Sequence, residues 1–327
     1  MIKVAVIGIG NMGYHHARNY HNMKNVCLVA VVDSNSEVGN KVAKEFNCEF
    51  YNDHKKMLRL SNPDAVSVVV PTKLHKQIAL DVIAEKKHLI IEKPIASTLE
   101  EGLEIINAAK ITNIKLMIGH IERFNPAMLK IRSLIENNKL GEIVTLSTRR
   151  VGLPPPQIKD ANVIINLAIH DIDIFSFLLG ESPIKIYATT GCALTLNRYD
   201  HAELLIKYSS DAVGLIQVNW ITPIKIRTLS VTGSKGYADL DYISQKLELY
   251  CSNYTREYDD FGDFVTKFGK TDILEIDVQR EEPLKKELES FIESIYEDKE
   301  PLVSGEIGFS ALKVALGAIN FIKGDLN

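Results

Sequence analysis

Val4-Ala5-Val6-Ile7-Gly8-Ile9-Gly10-Asn11-Met12-Gly13 decides the fold. A β-branched apolar run leads into G-x-G-x-x-G, and a helix-like stretch, Tyr14 to Met23, leads out of it. Glycines recur by chance, but a strand before and a helix after are the context that a dinucleotide-binding turn requires. Gly8 permits the tight turn, Gly10 lets the backbone approach a pyrophosphate, and Gly13 lets the new helix pack closely on the sheet. The helix start turns free N–H groups and a positive dipole end toward the phosphates. Gly8, Gly10, Asn11, Met12 and Gly13 are therefore candidate cofactor-binding residues.

A second apolar run, Cys27 to Val32, ends in Asp33, the distance at which an acidic residue meets the adenosine ribose. A carboxylate there accepts hydrogen bonds from both ribose hydroxyls and repels a 2′-phosphate. Ser34, Asn35 and Ser36 follow, with no arginine to receive that phosphate. The expected cofactor is NAD rather than NADP.

The 327 residues suit two domains better than one core. A hydrophobic share of 46% and a charged share of 24% are those of a globular protein, and a net charge of −4 argues against nucleic acid or an acidic membrane as partner. The four cysteines, Cys27, Cys48, Cys192 and Cys251, have no metal-like spacing, and three sit in or beside apolar stretches as small core residues do. No metal and no disulfide framework are expected. No apolar run approaches the roughly 20 residues that span a bilayer, and a strand from about residue 2 leaves no signal peptide. These features predict a cytoplasmic protein.

From residue 1 to 121 apolar strands alternate with amphipathic helices, predicting a doubly wound parallel sheet, a Rossmann domain of class α/β. Beyond it a helix from Pro126 to Asn137, a strand from Ile143 to Val151, a rigid Leu153-Pro154-Pro155-Pro156 loop and a helix from Val163 to Leu179 precede six consecutive strands ending at Tyr250. Short turns between those strands predict a mostly antiparallel open-faced sheet, and two helices close the chain. Residues 122 to 327 are read as one α+β domain for substrate binding and oligomerisation.

Glu92-Lys93-Pro94 puts a lysine at the carboxyl end of a Rossmann strand, where open α/β sheets bind ligands. Hydride removal from a carbinol requires the O–H proton to leave as well, and a lysine of lowered pKa can take or share it. Glu92 either orients Lys93, touches the nicotinamide ribose, or is simply solvated. Asn166 and His170 fall on one face of the second-domain helix, with Asp173 a turn beyond. His170 reads either as a proton relay or as a helix–helix contact, and its polar neighbour four residues back favours the relay.

With Pro71-Thr72 followed by His75, these motifs resemble the glucose–fructose oxidoreductase/inositol dehydrogenase/MocA family, over essentially the whole chain. The resemblance implies oxidation of a sugar or cyclitol hydroxyl, or reduction of the ketone, with a nicotinamide cofactor. It implies Lys93 at the substrate hydroxyl, a cis Lys93–Pro94 bond, Thr72 at the cofactor and His75 near its nicotinamide half, although by its position alone His75 reads equally as a solvated helix-start residue. It also implies pairing of chains through the open second-domain sheet. The usual family residue four before the histidine is Asp; Asn166 supplies no charge, although its amide oxygen can orient the ring.

Three stretches, Gly119 to Pro126, Arg149-Arg150-Val151-Gly152 and Asn219 to Arg227, resemble the branch that oxidises C3 of UDP-N-acetylhexosamines such as UDP-N-acetylglucosamine. Arg123, Arg149 and Arg150 are candidate diphosphate-binding residues, since arginine forks suit phosphates. A free sugar or myo-inositol-type dehydrogenase and a non-catalytic NAD-binding sensor or scaffold remain the alternatives.

Overall fold

A computed structural model describes all residues except 154–160, 195–196, 252–253, 259–263, 269–271 and 325–327. Pro154, Pro155 and Pro156 of the expected rigid loop lie outside the described residues. The chain divides into two units, each with its own sheet.

The first unit is built on β1 (Ile2–Ile7), β2 (Val26–Val32), β3 (Glu49–Tyr51), β4 (Ala65–Val68), β5 (His88–Glu92) and β6 (Leu116–Gly119). They run parallel in the order β3-β2-β1-β4-β5-β6, so the order reverses between β1 and β4. That reversal opens a crevice at the carboxyl ends of the strands, where such sheets bind nucleotides. Every residue of β4 is buried, as in a strand covered on both faces. The connecting helices are α1 (Asn11–Asn22), α2 (Ser36–Phe46), α3 (His54–Leu60), α4 (His75–Ala84) and α5 (Leu99–Thr112). Side chains cap three of them: Asn35 accepts from the N–H groups of Glu37 and Val38, Asp53 from Lys55, and Thr98 from Glu101.

The second unit starts with α6 (Pro126–Glu136) and β7 (Ile143–Val151). A wide π turn, Ile164–Ala168, then runs into α7 (Ile169–Leu179), where a continuous helix was expected. Such turns carry one extra residue and occur often at functional sites. The sheet adds β8 (Lys185–Gly191), β9 (His201–Lys207), β10 (Val213–Asn219), β11 (Ile226–Gly233), β12 (Gly236–Asp241) and β13 (Lys246–Cys251). A hairpin of β14 (Tyr254–Tyr258) and β15 (Phe264–Phe268) stands apart, and β16 (Asp272–Ile276) joins the sheet edge, giving the order β16-β13-β12-β11-β7-β10-β9-β8. All neighbours are antiparallel except β7 and β10. On β9 and β10, Ala202, Leu204, Ile206, Ile216 and Val218 face inward while Leu205 and Leu215 face out. Phe175 of α7 packs against Gly214, where a Cβ would come within 2.5 Å of the ring.

The chain then returns to the first unit. That unit comprises Met1–Phe124 with Glu282–Lys313, and the second Asn125–Glu281 with Val314–Asn327, in place of a single boundary after residue 121. The return covers apolar surface that residues 1–121 leave open. On α8 (Pro283–Tyr296), Leu284, Leu288, Phe291 and Ile292 are buried, and α8 packs on α1. Ser304 then bridges to Met117 of β6, and α9 (Gly305–Gly324) follows, its Gly308 so close to Ile118 that a Cβ would stand 2.5 Å away. Among the described residues α9 is the one helix long and apolar enough by composition to cross a bilayer, yet Ala311, Leu312, Ala315 and Ala318 are buried within the protein. All four cysteines are free, and Cys27 and Cys192 are exposed rather than packed in a core.

Candidate active site

At the mouth of the first unit's crevice, Gly8 turns the chain with φ of +91°, a conformation that side chains resist. A Cβ on Gly13 would lie 1.8 Å from the Gly8 carbonyl oxygen, so only glycine lets α1 start this close to β1. A Cβ on Gly10 would meet nothing within 4 Å, which leaves its backbone open to a ligand. Gly10 also caps α1 without any side-chain hydrogen bond, so the first-turn N–H groups have no side chain competing for them. Asp33 follows β2, and its Oδ2 accepts the Ile9 N–H at 2.7 Å while Oδ1 accepts the Asn35 N–H at 2.8 Å. Open glycine backbone, an uncapped helix start and a carboxylate at the next strand end together fit a dinucleotide.

Thr72 opens a short 3-10 turn after β4, leading to His75 at the start of α4. His75 is buried, with Nδ1 2.8 Å from the Pro94 carbonyl and Nε2 2.9 Å from the Val70 carbonyl. Burial lowers its pKa, against the opposing pull of those carbonyls and of Glu92. Its ring thus staples the segment after β4 to the segment after β5, and both nitrogens face main chain.

Lys93 follows β5, half-buried, and joins Pro94 through a cis peptide bond. Glu92 accepts a hydrogen bond from the Lys93 N–H at 3.3 Å and pairs with His16 of α1 through Nε2 at 3.2 Å. Burial raises the Glu92 pKa, but the His16 hydrogen bond and the charges of His16, Lys93 and His75 outweigh it, and the net shift is downward. Glu287 of α8 completes this buried group, with its pKa pushed well above the usual carboxylate value by burial and by the charges of Glu92 and Glu122.

The second unit carries the histidine. His170 and Asn166 are both half-buried, Asn166 inside the π turn and His170 in the first turn of α7. Asp171, beside His170, is fully buried and takes Arg150 of β7 on both oxygens, through Nε at 3.1 and 3.2 Å and Nη2 at 2.9 Å. The Arg150 guanidinium also lies 5.1 Å from the Tyr242 ring centre. Arg149 is exposed, because successive strand residues point to opposite faces. The two arginines therefore cannot grip one diphosphate together. Arg227 spends Nη1 on the carbonyls of Val151 and Ile226. Arg123 is buried in a 3-10 turn, Ile121–Phe124, of the first unit.

Sequence reasoning passed over Glu287 and the Arg150–Asp171 pair. A signal for Glu287 existed: with Leu284, Leu288 and Phe291 at helical spacing, it stands on the apolar stripe of α8. No such signal marked Arg150, because a strand arginine looks the same whichever face it occupies.

Residues 2–120 match the model of an oxidoreductase family with an NAD-binding Rossmann fold, and residues 132–322 match that family's C-terminal alpha/beta domain. The chain belongs to the Gfo/Idh/MocA oxidoreductase family. It is an NAD-dependent dehydrogenase acting on a CH–OH group. A UDP-N-acetylglucosamine 3-dehydrogenase of Acidithiobacillus ferrooxidans is 27% identical over 96% of this chain and 95% of its own. The NAD-dependent scyllo-inositol 2-dehydrogenase of Bacillus subtilis is also 27% identical, over 98% of this chain and 93% of its own. A solved structure of the Acidithiobacillus enzyme superposes with a TM-score of 0.87 at 25% identity, covering 100% of this chain and 99% of that one.

Proposed function

We propose that this enzyme oxidises the C3 hydroxyl of a UDP-N-acetylhexosamine, UDP-N-acetylglucosamine first among them, to the 3-keto sugar. The observation that carries the reading is the likeness, over nearly the full length of both chains, to an enzyme of that name. Gly8, Gly10, Asn11, Met12, Gly13 and Asp33 hold NAD, with Thr72, His75, Glu92 and Lys93 toward its nicotinamide half. NAD+ supplies the hydride acceptor. As the C3–H bond breaks, the hydroxyl proton passes to the Lys93 amine and the oxygen keeps its electrons as the new C=O. His170 relays protons with solvent, and Asn166 orients its ring. Of the arginines read for the diphosphate, Arg149 lies on the sheet face opposite α7 and His170, Arg150 is gripped by Asp171 and Arg123 is buried, so none of them is proposed as its clamp.

A free cyclitol is the second reading, because an inositol dehydrogenase is equally identical in sequence. A thermal-shift panel with NAD and UDP-sugars, free sugars and cyclitols separates the two, since a ligand that binds only the native state raises its stability. Stabilisation by UDP-N-acetylglucosamine, with NADH formed while the ketone is trapped, supports the first reading. Turnover of inositol or glucose but of no trapped UDP-sugar establishes the second.

A further inference from the structure

Glu287 is fully buried, and neither of its carboxyl oxygens finds a hydrogen-bond partner among the described residues. Its position is fixed from the start of α8, where Glu282 accepts hydrogen bonds from Arg18 and Asn19 of α1. One atom each of Glu287, Glu92 and His16 lies within 4.8 Å of the others. Glu92 already accepts from His16 and from the Lys93 N–H, so its carboxylate is the anchored member. Among the described residues, the charged and titratable groups facing this centre are His16 and Tyr20 from α1, Glu92 and Lys93 at the end of β5, His75 beyond Glu92, and Glu122. A second, unpaired carboxylate in such a dry place would meet no donor and would repel the first.

We propose that Glu287 is held as a neutral carboxylic acid that donates its O–H to Glu92, and that it is thereby a positioning residue for Lys93. The proposal rests on the reading of Lys93 as the proton acceptor. Three donors then converge on Glu92: the His16 ring, the Lys93 N–H and the Glu287 hydroxyl. Together they hold the peptide from which the Lys93 side chain springs. Burial of Glu287 and the charges of Glu92 and Glu122 act in the same direction, and the two carboxyl groups are pushed apart in acidity as a pair sharing one proton should be. Ionisation of Glu287 would drive the Glu92 carboxylate away and release Lys93.

The full-length protein tests this with Glu287→Gln and Glu287→Ala. An amide donates to Glu92 as the acid does, but cannot ionise. The wild type should show the infrared C=O stretch of a protonated carboxylic acid at neutral pH, and both variants should lack it. A raised folded-state pKa means that, above the unfolded value near 4.5, folding retains a proton the unfolded chain has lost. The Glu287 contribution to wild-type stability therefore falls as pH rises from there, and the Tm of Glu287→Gln should gain on the wild type between pH 5 and pH 8. Glu287→Gln should keep kcat within about threefold and lose any alkaline fall in activity that Glu287 causes, whereas Glu287→Ala should lose about 100-fold in kcat with KM for NAD little changed. Absence of the acid band, a Glu287→Gln variant as inactive as Glu287→Ala, or one equivalent of divalent metal that Glu287→Gln releases would each overturn the proposal. If the wild type turns over no sugar or cyclitol, the catalytic reading has failed instead, and the infrared band and Tm series still decide the state of Glu287.

Discussion

The Asp33 carboxylate accepts the main-chain N–H of Ile9 at 2.7 Å, so the acidic residue at the end of β2 is tied to the glycine turn after β1. One side chain thus shapes the turn and, in the proposed cofactor pose, would set the charge at the ribose. NAD(H) should bind at least about tenfold more tightly than NADP(H), about 1.4 kcal/mol. Asp33→Asn keeps an acceptor for Ile9 but loses the charge, and should narrow that preference while retaining NAD. Asp33→Ala loses both and should weaken the two cofactors alike. Fluorescence titration, with Trp220 and the tyrosines as reporters, separates these outcomes.

Lys93 and His170 are expected to carry the proton chemistry. Lys93→Met should retain NAD affinity and lose most turnover, and His170→Ala should fall by roughly 100- to 10,000-fold. Steady-state rates beside cofactor titrations check both, and a Lys93→Met enzyme of normal turnover would remove lysine from the mechanism. With Asn166 facing His170 as proposed, Asn166→Asp should move the pH optimum upward, and an unchanged pH profile would show that residue 166 does not face the imidazole.

Much of the first unit was legible because its strands are buried on both faces and read as unbroken apolar runs, with Gly8 to Gly13 and Asp33 at their ends. Lys93 was legible for the same reason: it ends a strand. His75 was not, since a histidine before an amphipathic helix looks alike whether it is solvated or bonded to the Val70 and Pro94 carbonyls. The return of α8 and the first half of α9 to the first unit was also hidden, because helical periodicity gives the width of an apolar stripe but not the partner it covers. Residues beyond Tyr250 mix aromatic and charged side chains without a clean alternation, and β14, β15 and β16 went unread.

Arg150 and Asp171 form a buried ion pair at the foot of the turn that bears His170. Removing one partner of such a pair strands the other charge, and Arg150→Ala should cost about 3–5 kcal/mol. Arg150→Met with Asp171→Leu should recover most of the loss. Denaturant melts of the two variants measure it, and a single variant as stable as the wild type would show that Asp171 finds another partner.

Burial lowers the pKa of His75, and that of His88 with help from the charge of Lys115. Folding therefore disfavours their protonation, so their contribution is intact above the unfolded value of 6.5 and is lost as pH falls below it. That share of the Tm should be lost between pH 7 and pH 5, opposite in sign to the Glu287 contribution, so over this range the Tm of His75→Gln, which cannot protonate, should gain on the wild type as pH falls. An equal slope in the variant would exclude His75 as the source of that loss.

The outward face of the second unit's sheet carries an apolar row. Tyr187, Leu205 and Leu215 are direct neighbours across β8, β9 and β10, each 37–42% exposed. Neighbouring exposed apolar side chains on one sheet face are a surface that a second copy of the chain can bury with two-fold symmetry. We therefore expect pairing through this face. Leu205→Lys with Leu215→Glu leaves the inward core of β9 and β10 untouched, because residues 205 and 215 point the other way from Leu204 and Ile216. Light scattering at micromolar concentration should show an oligomer for the wild type and a smaller, folded species for the double variant. A wild-type monomer, or an unchanged oligomer after both substitutions, would place the contact elsewhere or remove it.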